Sequence, residues 1–492
     1  MRRMFICIIF VFVLWPGQLL ASTLAEKVQE YHLDNGATLL MVERHDSPTV
    51  AAYISFRVGS VNELSNERGA AHLLEHMLFK GTKTLGTSNY AKEKPLLDKI
   101  DLLGSRIDAL KNQPDSDPQE LTKLQDQLSR LQSEDQQYIV KDEFSRIYAE
   151  NGGVGYNAFT GKDSTTYLIN LPANKLELWA AIESDRLKNA VFREFYTERD
   201  VVREERRRSY ESSPDGMLYE TLLATAYKVH PYRDPIIGWD SDIANLSPDK
   251  IRNFFTKYYT PVNMVITLVG DFDSAAAIKL VNRYFGKLAP GVVVPPVIDR
   301  EPVQQGERRV VIDFDAEQRL MIAFHKPTMP HKDDYVFDVL MQVLTDGRSS
   351  RLYQSLVVDQ QLVSDVGVFS APGSRYDNLM VLSMSPRHSC SCVDVEAAVY
   401  KELERLKTEP LSRLEIEKAR NQITTSTLRR LKGNSGLARM LSSYQVLGDW
   451  RYLVDYEKNL NAVTAQDVMD VAKRYLTVDN RTVAILSRGA QG

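Results

Sequence analysis

The chain has 492 residues, of which 43% are hydrophobic and 26% charged, and its formal net charge is -4. That length supports two or more domains with proper cores, and the composition is that of a soluble globular protein. The slightly acidic balance gives no sign of a nucleic-acid binder.

The first residues read as an export signal. Arg2 and Arg3 precede an apolar run from Phe5 to Trp15, and Ala21-Ser22 offers a small-residue cleavage point after Ala21. The run is too short to span a bilayer. An uncleaved anchor is the alternative. No Cys follows to carry a lipid, and the segment lacks the amphipathic, Arg/Ser-rich character of a mitochondrial presequence.

Val50 to Phe56 is an apolar strand. Soon after comes His72-Leu73-Leu74-Glu75-His76. On a helix, positions i and i+4 share a face, so both imidazoles can reach one metal ion with Glu75 beside them. Imidazole nitrogen and carboxylate oxygen suit Zn²⁺, whose catalytic sites keep one position open for water. A neighbouring carboxylate can take the proton from that water. The order is H-x-x-E-H, the reverse of the commoner H-E-x-x-H. Taken alone, five residues fit a solvated helix face better than a metal site.

Further along, Ile100, Leu103, Ile107 and Leu110 recur at 3-4-3 spacing, as do Leu121, Leu124, Leu128 and Leu131. Gln113-Pro114-Asp115-Ser116-Asp117-Pro118 between them is a turn. About residues 96–140 are therefore an antiparallel helical hairpin, inserted in the first half and free to fold as a semi-independent arm. Arg413 to Leu431 is another periodic helix.

Two stretches resemble one another. Lys257-Tyr258-Tyr259-Thr260-Pro261-Val262-Asn263-Met264-Val265-Ile266 and Arg474-Tyr475-Leu476-Thr477-Val478-Asp479-Asn480-Arg481-Thr482-Val483 are each a helix end, a turn and an apolar strand. Such similarity points to a duplicated domain. The fold class is α+β: two related α/β sandwich domains, 22–289 and 309–492, each one sheet covered by helices and joined by a Pro/Gly/Val-rich linker at 290–308. Only three cysteines occur. Cys390 and Cys392 are two apart, too strained for a disulfide, and read as free thiols; a minor metal site with His388 is the alternative.

The run from Gly69 to Thr82 resembles the pitrilysin/insulinase family of zinc metallopeptidases, the inverzincins, in particular the shorter branch with the mitochondrial processing peptidase and its bacterial relatives. The likeness continues through Gly152-Gly153-Val154-Gly155-Tyr156-Asn157-Ala158-Phe159-Thr160, Glu198 to Glu205, and His230-Pro231-Tyr232. It implies an exported, periplasmic zinc endopeptidase. The third zinc ligand is then a Glu seven residues after another functional Glu, which Glu205 and Glu198 satisfy. Glu204 is the second choice as ligand, and Arg206 to Arg208 read as a solvated charged face. By the same resemblance, His72 and His76 hold the metal, Glu75 is the general base and Glu198 supports the ligands. Asn157-Ala158-Phe159-Thr160 is then an edge strand to which substrate adds. The family also implies an Arg and a Tyr, seven apart, that hold the substrate carbonyl. Here those positions are Val357 and Ser364, with Arg351 and Tyr353 at the wrong spacing. A heterodimer with a zinc-less relative carrying that clamp is expected, or a homodimer with other donors. The rival class is a non-catalytic structural or assembly subunit that keeps the fold.

Overall fold

The protein is described by a computed structural model covering residues 24–488. The expected export signal, residues 1–21, lies outside the described residues. Among those described, no helix is long and apolar enough to cross a membrane.

Among the described residues, eleven strands form two sheets. The first contains β1 (Gln29–His32), β2 (Thr38–Glu43), β3 (Thr49–Phe56), β4 (Val154–Thr160), β5 (Thr165–Pro172) and β6 (Met264–Gly270), in the order β1-β2-β6-β3-β5-β4. The second contains β7 (Arg308–Asp313), β8 (Arg319–Lys326), β9 (Val363–Ala371), β10 (Asn378–Pro386) and β11 (Arg481–Ser487), in the order β7-β11-β8-β10-β9. Apart from the extra edge strand β1, the two orders coincide. Each sheet has one parallel pair, β2 with β6 and β7 with β11, at the same place. The two stretches that resemble each other in sequence end in β6 and β11, which hold equivalent positions.

The sheets are covered on both faces, not on one. On one side of the first sheet lies the helical core of its own half. The other side is covered by a helix from the second half, Asn434–Leu447, whose Leu437, Ala438 and Leu441 pack on Leu40, Val42, Ala51, Tyr53, Val265 and Val269. The exchange is reciprocal. Helix Pro214–Ala226 of the first half places Leu218, Leu222 and Leu223 against Met321, Ala323, Ala484 and Leu486 of the second sheet. This is why β3 and β6 read as continuous apolar runs: strands buried on both faces lose the polar alternation of a half-solvated sheet.

The segment between the halves, residues 286–307, has no regular secondary structure but is tied down. Its Glu301 accepts backbone N–H groups of Lys228 and Val229 at 2.9 Å.

The helical hairpin is present as Tyr90–Lys111 and Pro118–Asp135, starting six residues before its expected boundary. It is not a free arm. Glu93 pairs with Arg193, both fully buried, Ile100 joins the first core, and Gly104 lies against the ring of Tyr196. A Cβ at residue 104 would sit 2.0 Å from that ring, so only glycine lets the hairpin dock there.

Candidate metal centre

The helix Ala70–Met77 buries Ala70, Ala71, Leu73, Leu74 and Met77 in the first core, which turns His72 and His76 toward a cleft. Gly69 precedes it at φ +94°, with the carbonyl of Ile237 where a Cβ would stand. The Glu63 carboxylate accepts the N–H groups of Gly69 at 2.9 Å and Ala71 at 2.8 Å, satisfying donors that a helix start leaves open.

A second helix, Phe195–Arg206, carries Glu198 and Glu205 two turns apart. Arginines on its other sides fix its rotation. Arg199 makes a bidentate pair with Asp108 of the hairpin at 2.7 and 2.9 Å and donates to the carbonyl of Leu246. Arg203 pairs with Asp240, and Arg206 with Glu220. Arg206 is buried rather than part of a solvated face, whereas Arg207 and Arg208 are exposed.

The two helices bring His72, His76 and Glu205 together, with their candidate ligand atoms all within 4.8 Å of one another. His72 Nε2 is 3.8 Å from Glu205 Oε1, and His76 Nε2 is 3.7 Å from Glu205 Oε2. These gaps exceed hydrogen-bond length. They are close to the ligand–ligand separation of about 3.4 Å expected across a tetrahedral ion with bonds of about 2.1 Å. Burial pushes His72 down to about 3, so its imidazole is neutral and can bind metal, and its Nδ1 is buried without a hydrogen-bond partner. His76 Nδ1 is 2.8 Å from Glu198 Oε1. Burial alone would raise Glu198, but His76 and Lys80 outweigh it and hold it down at about 2. An ionised carboxylate only accepts, so Nδ1 donates; against burial, Glu198 and the other carboxylates raise the His76 pKa, and in the neutral ring the lone pair is then on Nε2. The donor set, two imidazole nitrogens and one carboxylate oxygen, fits zinc with a position left open.

Glu204, the second choice as ligand, is not in this group. It is half-buried and held by Arg207 at 2.7 and 2.8 Å and by Arg208 at 2.7 Å. Among the described residues no other such cluster occurs, so His388, Cys390 and Cys392 do not form one; both cysteines are free.

Glu75 is buried and receives a hydrogen bond from Thr160 Oγ1 at 2.5 Å. Burial raises its pKa, and the Thr160 hydroxyl works in the opposite direction. Thr160 ends β4, which lies at the edge of the first sheet and, among the described residues, pairs only with β5. Ala158 points into the first core, Asn157 is exposed, and Phe159 and Thr160 are half-buried. Glu75, His76, Asn157 and Glu198 line one cleft, whose far wall is the return of the hairpin, Ile139 to Phe144.

Several residues of the site carry no mark in the sequence. Lys80 pairs with Glu198 at 2.5 Å and with Glu194 at 3.3 Å; it lies beyond the end of the helix that carries His76, so helical spacing does not mark it. Arg186 is buried among the rings of Phe79, Phe144, Tyr156 and Tyr167, donates to the Tyr156 hydroxyl and supports β4 from below. No local pattern marks it. Val357 packs against the second core and Ser364 Oγ donates to the carbonyl of Ser385 at 3.2 Å. Arg351 is held by Glu415 at 2.7 Å.

The insulinase (peptidase family M16) model matches residues 38–109 and 132–240, and the peptidase M16 inactive-domain model matches 245–423. Residues 110–131, the outer part of the hairpin, lie outside both. The zinc protease PqqE of Helicobacter pylori is 28% identical over 478 residues, covering 95% of this chain and 94% of its own length. An uncharacterized zinc protease, YmxG, of Bacillus subtilis is 24% identical over 470 residues, 94% and 99% of the two chains. The crystal structure of a protease from Helicobacter pylori superposes with a TM-score of 0.79 at 25% identity, covering 94% of this chain and 99% of that one. The first half of the periplasmic protease PqqL from Escherichia coli shares the fold, with a TM-score of 0.68 at 18% identity over 94% and 92% of the chains.

Proposed function

The chain belongs to the insulinase family of peptidases, M16, and we propose that it is a zinc-dependent endopeptidase cleaving unfolded peptides or extended protein segments. The observation that carries this reading is the convergence of His72, His76 and Glu205 beside Glu75, at an open sheet edge.

His72, His76 and Glu205 would hold the ion. A bound zinc would lower the pKa of a water and polarise the scissile carbonyl. Glu75 takes the proton from the attacking water and delivers it to the leaving nitrogen. Thr160 fixes the Glu75 carboxylate while it does so. Glu198 orients His76 and is itself charge-balanced by Lys80. The substrate pairs along Asn157-Ala158-Phe159-Thr160 as an added strand, whose backbone hydrogen bonds tolerate many sequences.

The test is Glu75→Gln in the zinc-loaded protein. Metal content stays at the wild-type level while hydrolysis of an unstructured peptide falls to background. Substantial residual turnover would mean that another group is the base.

Val357 and Ser364 supply no carbonyl clamp, which favours a heterodimer in which a zinc-less relative provides the Arg and Tyr; a homodimer with other donors is the second arrangement. An export signal at residues 1–21 would deliver the protein to the periplasm. A non-catalytic assembly role is the rival reading, and the complete His72, Glu75, His76 and Glu205 set argues against it.

A further inference from the structure

β4 has two faces, and register settles which residue lies on each. Ala158 pairs with Tyr167, which pairs with Ile54, and all three belong to the first core. Thr160 shares that face and meets Glu75. Asn157 and Phe159 therefore point to the opposite face, the one covered by helix Asn434–Leu447 of the second half. The row through Asn157, Leu168 and Tyr53 confirms this, because Leu168 and Tyr53 pack on that helix.

Arg439 lies on this helix, with its guanidinium over the ring of Phe159 at 5.1 Å from the centroid. It is exposed, and among the described residues it has no carboxylate partner. Its other electrostatic neighbour is Tyr53, whose phenol burial pushes up and Arg439 pulls down. Most arginines around the candidate site, by contrast, are paired: Arg199, Arg203 and Arg206 each hold a carboxylate. An unpaired guanidinium stacked on a ring keeps its N–H fork free for a planar carboxylate.

A strand added to the open edge of β4 alternates its side chains between the Glu75 face and the Arg439 face. We propose that Arg439, resting on Phe159, is a specificity-determining residue that selects a carboxylate on the substrate at the position facing Phe159. This rests on the strand-addition reading above and deepens it. The same carboxylate chemistry comes from an internal Asp or Glu or from the free C-terminus of a short peptide.

The test uses the zinc-loaded full chain and matched unstructured peptides bearing Glu, Gln or Lys at successive positions around the cleaved bond, each with a free or an amidated C-terminus. At one position, Glu is expected to raise kcat/KM about fivefold over Gln, the yield of a partly exposed ion pair near 1 kcal/mol. In Arg439→Ala that ratio falls to about one, and in Arg439→Glu the Lys peptide becomes the preferred one. If amidation alone abolishes the preference, the C-terminus is the source; if only the internal Glu matters, the side chain is. Binding of the same peptides to Glu75→Gln, and to that variant carrying Arg439→Ala, reads the preference without turnover. A preference that survives Arg439→Ala, or none in either assay, overturns the proposal. Absence of cleavage with the binding preference intact counts against the endopeptidase reading alone.

Discussion

His76 donates from Nδ1 to Glu198 Oε1 at 2.8 Å, and this bond leaves His76 Nε2 as the ring nitrogen that faces Glu205. Lys80 closes the chain from the other side at 2.5 Å. Glu198→Gln keeps the shape, weakens the hold on the tautomer and strips Lys80 of one of its two counter-ions, leaving Glu194. Zinc affinity is expected to fall about 10- to 100-fold, as for other carboxylates that support a ligand histidine. Competition with a chromophoric chelator measures it; unchanged affinity would show that the Glu198 contact does not orient the ligand.

Asp108 links the hairpin to the helix that carries Glu205. Arg199 and Asp108 are both largely buried. Asp108→Ala leaves the guanidinium unpaired, and the expected loss is about 3 kcal/mol of stability. Urea unfolding reads the loss. Replacing about residues 96–140 with a short Gly/Ser loop removes Asp108, Ile100 and Ile107 together, so that variant should fail to fold. Shortening within residues 112–129 alone removes one core residue, Leu124, and should leave a folded, metal-binding protein. A soluble, zinc-binding protein lacking the whole hairpin would show that its docking is dispensable.

His325 Nε2 lies 3.0 Å from the carbonyl of Ala226, joining the second sheet to the helix supplied by the first half. Burial pushes His325 down to about 4, against the partial support of that hydrogen bond. A depressed pKa means that the unfolded chain binds the proton more readily than the folded one. The stabilisation is therefore fully present above the unfolded value of about 6.5 and is lost as pH falls toward 4. The loss reaches up to about 3 kcal/mol. Chemical unfolding at pH 7 and pH 4.5 should show a smaller acid-induced loss in His325→Asn than in the wild type. Equal losses would rule out His325 as the source.

Val357 and Ser364 lie where the family resemblance calls for a carbonyl clamp. A missing transition-state donor typically costs about 3 kcal/mol. The isolated chain is therefore expected to hydrolyse peptide slowly, and a clamp-bearing, zinc-less relative from the same source should raise kcat/KM about 100-fold. Full activity of the chain alone, unchanged on mixing, would remove the case for a heterodimer.

Local pattern reported much of this molecule, and tertiary packing decided the rest. His72, Glu75 and His76 were legible because a helix puts positions i, i+3 and i+4 on neighbouring parts of one face, a property of backbone geometry alone. Glu198 and Glu205 were legible for the same reason once the family likeness located them, and the rotation that Arg199, Arg203 and Arg206 impose leaves Glu204 outside the His72, His76 and Glu205 group. The duplication was legible in two short stretches because β6 and β11 occupy the same place in sheets of the same order. Four features left no local trace: the helix that each half lends to the other's sheet, the docking of the hairpin through Asp108 and Gly104, the buried Arg186 under β4, and Arg439 over Phe159. Each joins residues far apart in the chain through burial and charge pairing, and the pairing partner is fixed only when the chain has folded.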